Sequence, residues 1–205
     1  MSRSAPSFLV VEDEAGVRRL VGRGLQPYGQ VDSVGTCAAA RMALRGRTYD
    51  ALIVDVKLPD GSGLDLIGVA TQKSPGIVVL VLTGSTDHEV ISRALQLGAR
   101  YLLKPFDTSH LDQLADEVAA RRDAGDRRIK LALDRWAAEL ELSKTEVELL
   151  ALGAHGVPRD KFALQRDVRP DTIRKQIQAL LQKTGHDSFE GSVNSLLREA
   201  VAEPT

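Results

Sequence analysis

The stretch Ala51-Leu52-Ile53-Val54-Asp55-Val56-Lys57-Leu58-Pro59-Asp60-Gly61-Ser62-Gly63 leads directly into Leu64–Ala70. An apolar run closed by an acid, then Pro, Asp and Gly, then apolar residues at helical spacing read as strand, loop and helix. The same unit recurs on both sides. Upstream, Phe8–Val11 precedes Gly16–Leu25, where Val17, Leu20, Val21 and Leu25 keep helical spacing, and a short Val31–Val34 strand precedes an Ala38–Leu44 helix. Downstream come Ile77–Thr83 as strand, Glu89–Leu97 as helix, Tyr101–Lys104 as strand and Leu111–Ala120 as helix. Parallel strands need crossovers, and helices supply them. Five strands alternating with five helices therefore predict an α/β fold, a five-stranded parallel sheet wrapped on both faces.

Composition narrows the classes. The chain has 205 residues, enough for one or two domains, with 43% hydrophobic and 27% charged residues and a net charge of −1, which argues against disorder and against a polybasic protein. Any nucleic-acid contact must then be local. The longest apolar run, Ile77–Leu82, is far shorter than the roughly 20 residues that span a bilayer, and Met1–Pro6 is too short and polar for a signal peptide. No membrane contact is expected. The single cysteine, Cys37, can form no internal disulfide and no four-ligand zinc cluster, which suits a reducing compartment, so the expected location is cytoplasmic.

After the last predicted strand the pattern changes. Residues 122–141 read as a charged helical linker that turns amphipathic through Ile129, Leu133, Trp136 and Leu140, with Gly125 as its expected break. A lone helix would expose that stripe, so it is expected to pack on the sheet domain or on a partner's linker. From Leu142 a small all-α domain begins. Ser143 and Glu146 have capping-box spacing, and Gly156 with Pro158 ends that helix. Asp160–Arg166 is a short second helix, Pro170 opens a third running to about Lys183 with Ile173, Ile177, Leu180 and Leu181 inward, and a fourth follows Asp187-Ser188. The tight turn Arg166-Asp167-Val168-Arg169 has helix-turn-helix spacing.

In an open parallel sheet, ligands bind at the carboxyl ends of the strands. Those ends carry Glu12-Asp13, Asp55, Thr83 and Lys104-Pro105. Singly, Asp13 or Thr83 could be a cap and Lys104 a solvated charge. Together they are a site: clustered carboxylates raise one another's pKa unless a cation neutralises them, and hard oxygen donors favour Mg²⁺ over zinc or copper.

These residues resemble the receiver domain of two-component response regulators over about residues 6–121. The resemblance rests on Val-Val-Glu-Asp-Glu, the stretch around Asp55, Leu-Thr-Gly at 82–84 and Gly-Ala-Arg-Tyr-Leu-Leu-Lys-Pro-Phe at 98–106. It implies a flavodoxin-like fold in which Asp55 takes a phosphoryl group from the phosphohistidine of a sensor kinase. Mg²⁺ would be held by Asp13, Asp55 and the Lys57 carbonyl, and by Glu12 through water, with Thr83 and Lys104 meeting the phosphoryl oxygens. Tyr101 would be the switch aromatic, although its spacing fits a half-buried core residue equally well. A metal-dependent phosphatase is the enzyme alternative. Lys57 stands two positions after Asp55, where haloacid-type phosphatases carry an acid, so no enzyme is expected.

Residues 142–205 resemble the DNA-binding domain of the LuxR/NarL/FixJ class through Leu-Ser-x-x-Glu-x-Glu-Leu-Leu, Gly156, Ala163, Val168, Thr172-Ile173, Ile177, Leu180-Leu181-x-Lys183 and Gly185. Thr145, Asp160-Lys161, Arg166, Gln176 and Thr184 depart from its pattern. Between residues 159 and 184 seven basic side chains face three acidic ones, a local patch of the kind that meets DNA. Arg174, Lys175 and Gln178 fall opposite the apolar face, placed for base edges, and Arg169, Thr172 and Lys183 for phosphates. The expectation is a transcription regulator that dimerises on phosphorylation and enters the major groove. The alternative is an output domain that binds a protein instead of DNA.

Overall fold

The computed structural model describes residues 5–84 and 88–202; Met1–Ser4 of the amino-terminal stretch, Ser85–Asp87 and Glu203–Thr205 lie outside them. The chain divides into two units, residues 1–122 and 123–205.

The first unit is the predicted sheet with its helices. Its elements are β1 (Ser7–Val11), α1 (Ala15–Leu25), β2 (Gln30–Val34), α2 (Cys37–Gly46), β3 (Ala51–Asp55), a small antiparallel hairpin β4 (Lys57–Leu58) and β5 (Gly61–Ser62), α3 (Leu64–Lys73), β6 (Val78–Thr83), α4 (His88–Gln96), β7 (Arg100–Leu103) and the start of α5 (Ser109–Glu139). The five long strands are all parallel, in the order β2-β1-β3-β6-β7. The central strands β1, β3 and β6 are buried along their whole length. Successive side chains alternate between faces, so each strand feeds two cores. Leu9, Val11, Leu52, Val54, Val79 and Val81 join α2 and α3 on one face. Phe8, Val10, Ile53, Leu80 and Leu82 join Val21 and Leu25 of α1 and Leu111, Leu114 and Val118 of α5 on the other. The hairpin was not expected, since two-residue strands leave no periodicity to read.

One glycine fixes the path out of β3. Gly63 precedes α3 and packs against the carbonyl of Asp55 and the side chain of Val54, so closely that a β-carbon would overlap the Asp55 carbonyl oxygen. The loop carrying Lys57 is also tied to α2. The Asp60 carboxylate accepts the N–H groups of Cys37 (2.7 Å) and Ala38 (2.8 Å) at the α2 amino terminus. These bonds hold the Asp60 carboxyl below its ordinary value.

Helix α5 differs from expectation. It runs unbroken through Gly125, its residues 109–122 belonging to the first unit and 123–139 to the second. A helical glycine costs only about 1 kcal/mol relative to alanine, and the surrounding Ala, Arg, Asp and Lys sustain the helix around it. The apolar stripe also packs elsewhere than expected. Leu133 and Trp136 are buried in the core of the second unit, with Ile129 and Leu140 packed against it, beside α6 (Lys144–Ala154), a 3₁₀ turn at Arg159–Lys161, α7 (Phe162–Gln165), α8 (Pro170–Thr184) and α9 (Phe189–Ala202). The segment read as a linker is thus the first helix of the bundle.

Ser143 and Glu146 form the predicted capping box. The expected second helix is a 3₁₀ turn followed by the single turn of α7, and Asp167 adopts the left-handed conformation (φ 49°) in the turn before α8, which aspartate tolerates better than most residues. Gly185 closes α8 in the same region (φ 70°).

Gly63→Ala is expected to destabilise the first unit by about 3 kcal/mol, the upper end for overpacking, because the obstacle is backbone. Urea unfolding followed by circular dichroism should show an early transition. Fluorescence of Trp136, the chain's one tryptophan, should still report a native second unit.

Candidate functional site

The carboxyl ends of β1, β3, β6 and β7 converge. Glu12 is fully buried, Asp55 is 8% exposed and Asp13 is exposed, yet one carboxylate oxygen from each lies within 4.8 Å of the others. The Lys104 ammonium bridges the two buried acids, 2.7 Å from Glu12 Oε2 and 2.5 Å from Asp55 Oδ2. The other Asp55 oxygen, Oδ1, accepts the Lys57 N–H at 3.0 Å, so both oxygens of the acid are engaged. Burial pushes the Glu12 carboxyl above its ordinary value, reinforced by the Asp55 charge and only partly opposed by Lys104. Burial works against the Lys104 charge too, but hydrogen bonds to Asp55 and Glu12 outweigh it and the ammonium is held more tightly protonated than a free lysine.

Thr83 is buried at the end of β6, and its carbonyl accepts the Lys104 N–H at 2.8 Å, joining the ends of β6 and β7. The Lys104–Pro105 peptide is cis. Tyr101 does not lie in the core: on edge strand β7 it is 41% exposed. Lys57 is exposed in β4. The donor set of three carboxylates is all hard oxygen, with Glu12 buried at its floor, and fits a small divalent cation.

One residue the sequence reading missed is Arg18. Its Nη1 donates to the carbonyls of Glu12 (2.6 Å) and Asp13 (2.9 Å). Every residue offers a carbonyl, so no pattern marks such a partnership in advance.

In the second unit Ile173, Ile177 and Leu180 are buried and Leu181 packs on the core, leaving Arg169, Arg174, Lys175 and Gln178 exposed and Thr172 half-buried. Among the described residues Arg174 makes only an exposed pair with Asp171 at 3.1 Å, worth little. Lys183 departs from expectation. Its ammonium binds the buried Glu146 carboxylate (2.8 Å) and the Glu141 carbonyl (2.9 Å), so it is committed to holding α8 against α6 rather than presented to a phosphate. Burial would raise the Glu146 carboxyl, but bonds from Lys183, the Ser143 N–H and the Ser143 hydroxyl together hold it below 4.5. Arg166 is likewise drawn inward. It reaches Gln176 Oε1 at 2.6 Å, Glu148 at 3.1 Å and Thr145 Oγ1 at 3.5 Å, so three of the departures from the family pattern, Thr145, Arg166 and Gln176, meet in one network.

Residues 8–116 match the family described as response regulator receiver domain. The DNA-binding transcriptional activator DevR/DosR of Mycobacterium tuberculosis H37Rv is 30% identical over 189 residues, 87% of each chain. The transcriptional regulatory protein FixJ of Bradyrhizobium diazoefficiens is 25% identical over 192 residues, 92% of this chain and 93% of FixJ. The crystal structure of full-length FixJ from B. japonicum shares the fold over 98% of this chain with a TM-score of 0.52 at 22% identity. The chain belongs to the response regulators of two-component systems, and its sheet unit is a receiver domain. Its relatives are transcription regulators rather than enzymes. No helix among the described residues is long and apolar enough to cross a membrane.

The Lys183–Glu146 pair gives a pH test. Glu146 has a lowered folded-state pKa, so the stability it contributes is complete above 4.5 and is lost as pH falls through the folded value. Lys183→Met leaves the carboxylate buried without its cation and should cost about 1–3 kcal/mol near pH 7, moderated by the partial exposure of Lys183. Thermal unfolding read by Trp136 fluorescence should show that difference shrinking as the pH drops below 4.5.

Proposed function

We propose that this response regulator is phosphorylated on Asp55 by a sensor histidine kinase and controls transcription through DNA binding by its second unit as a dimer, in the cytoplasm. The observation that carries the first half is the Lys104 ammonium spanning Glu12 and Asp55 at the mouth of a three-carboxylate cluster. An Asp55 oxygen attacks the phosphorus of a phosphohistidine, the P–O bond forms as the P–N bond breaks, and the departing imidazole nitrogen keeps the electron pair and takes up a proton. Asp55 reacts as the carboxylate and needs no general base. Phosphoryl transfer then asks the protein mainly for positioning and charge neutralisation. Lys104 supplies the second, passing from the carboxylate to a phosphoryl oxygen, with the Thr83 hydroxyl beside it. Asp13, Asp55 and the Lys57 carbonyl, with Glu12 through water, would hold Mg²⁺, which when bound neutralises further phosphoryl charge. Turning Tyr101 inward from its exposed place on β7 would carry the event to the surrounding face.

For the output, exposed Arg174, Lys175 and Gln178 on α8 support major-groove reading, with Arg169 and Thr172 toward phosphates. A protein partner in place of DNA is the second reading. It is favoured by the inward commitment of Arg166 and Lys183, which leaves five basic side chains of the seven between 159 and 184 to face three acidic ones.

Asp55→Asn should abolish acid-stable, base-labile labelling by acetyl phosphate with Mg²⁺; labelling that persists would refute the assignment. Phosphorylation should shift sedimentation of the wild type toward dimer. In selection from a random duplex pool, Arg174→Ala should relax preference at one base pair, a loss of about 1–3 kcal/mol. Arg169→Ala should reduce the slope of log affinity against log salt by about one, and Lys183→Ala should leave it unchanged. Selection of no sequence at low salt by the phosphorylated protein would favour the protein-partner reading.

A further inference from the structure

The acidic pair at the end of β1 is held from behind by a side chain on no strand end. Arg18 stands in the first turn of α1, and its guanidinium takes the carbonyls of two consecutive residues, Glu12 at 2.6 Å and Asp13 at 2.9 Å. The slot it occupies is kept open by Gly35, just after β2, where a β-carbon would come within 3.2 Å of Arg18 Nη1 and 3.7 Å of the Glu12 carbonyl oxygen. Glu12 is thereby gripped at three points. Its N–H donates to the Val34 carbonyl (3.0 Å), its carbonyl accepts from Arg18, and its carboxylate accepts from Lys104. For Asp13, whose side chain is exposed, the grip of Arg18 on its carbonyl is the link that orients the residue.

We infer that Arg18 is a positioning residue of the acidic centre: by locking the Glu12 and Asp13 carbonyls to one guanidinium, it presents their carboxylates as a preformed seat for a divalent cation. The inference rests on reading Glu12, Asp13 and Asp55 as a divalent-cation site. Two effects of Arg18 oppose each other there. Its positive charge repels a dication, whereas its ordering of the two carbonyls lowers the cost of arranging the ligands. Groups one step behind a metal's ligands commonly change affinity through orientation, and the planar guanidinium fixes the directions of both Nη1–H bonds, which a rotating ammonium does not. Ordering outweighs repulsion at this site.

The opposed signs make the test decisive. Mg²⁺ binding to the full-length, unphosphorylated protein is measured by titration calorimetry for wild type, Arg18→Met, Arg18→Lys and Asp13→Asn, with melting curves recorded in the absence of Mg²⁺. Arg18→Met should weaken Mg²⁺ binding about 10-fold although it removes a positive charge. Arg18→Lys, which keeps the charge and loses the planar nitrogen that aims both bonds, should weaken it too. For both variants, acetyl phosphate labelling should fall at low Mg²⁺ and return to the wild-type extent at saturating Mg²⁺, which general damage to the fold would not allow. Should Arg18→Met fail to fold, Arg18→Gln removes the charge and carries the same comparison. Wild-type binding with unchanged or tighter binding by the Arg18 variants overturns this inference alone. A wild type that binds no Mg²⁺, indistinguishable from Asp13→Asn, overturns the cation-site reading and the inference with it.

Discussion

The first unit is organised around one ammonium group shared by two buried acids. Carboxylates within 4.8 Å of one another repel by about 3–4 kcal/mol at an effective dielectric of about 20, and burial adds a desolvation cost. Glu12 and Asp55 tolerate it because Lys104 stands between them. That requirement reaches far into the fold. Glu12 follows β1 and Asp55 ends the neighbouring β3, but Lys104 follows β7, two strand spacings of about 4.8 Å beyond β3. The ammonium must pass over the end of β6, where Thr83 closes the strand with a small side chain and its carbonyl pins the Lys104 backbone.

The same focus makes the centre responsive to charge. Adding a phosphoryl group to Asp55 changes what Lys104 must neutralise, and a lysine with two carboxylate partners can exchange one for a phosphoryl oxygen without leaving the site. The strand ends beside it are anchored from outside the centre, the hairpin by Asp60 to α2 and the turn after β1 by Arg18 to α1.

The second unit solves a different problem, how a bundle with no excess of positive charge keeps a basic face. Buried Glu146 takes Lys183 and the network of Glu148, Gln176 and Thr145 takes Arg166, so part of the positive charge serves to lock α6, α7 and α8 together. What remains exposed on α8 is Arg174, Lys175 and Gln178, on the side opposite Ile173, Ile177 and Leu180. Trp136 ties the last turns of α5 to α9 through Glu199 Oε2 at 2.7 Å and stacks on His186. The bundle therefore includes a helix that periodicity alone would assign to a connector.

The sequence by itself determined the alternation of strands and helices, the parallel sheet, the capping box and the set of polar strand ends, because each is written in local spacing: period two or 3.6 in the apolar residues, and an acid, hydroxyl or lysine where an apolar run stops. Glu12, Asp13, Asp55, Thr83 and Lys104 were legible for that reason. Other features needed the tertiary structure. Gly125 looks like a break and is not, since packing of Leu133 and Trp136 on α6–α9 stabilises α5 beyond the small penalty of one glycine. Lys183 looks like a phosphate ligand and is a structural cation, because the acid that claims it lies 37 residues away. Arg18 is silent in the sequence because it binds backbone. Which charges meet depends on the through-space approach of elements distant along the chain, and long-range electrostatics leaves no periodic trace in the residues that share it.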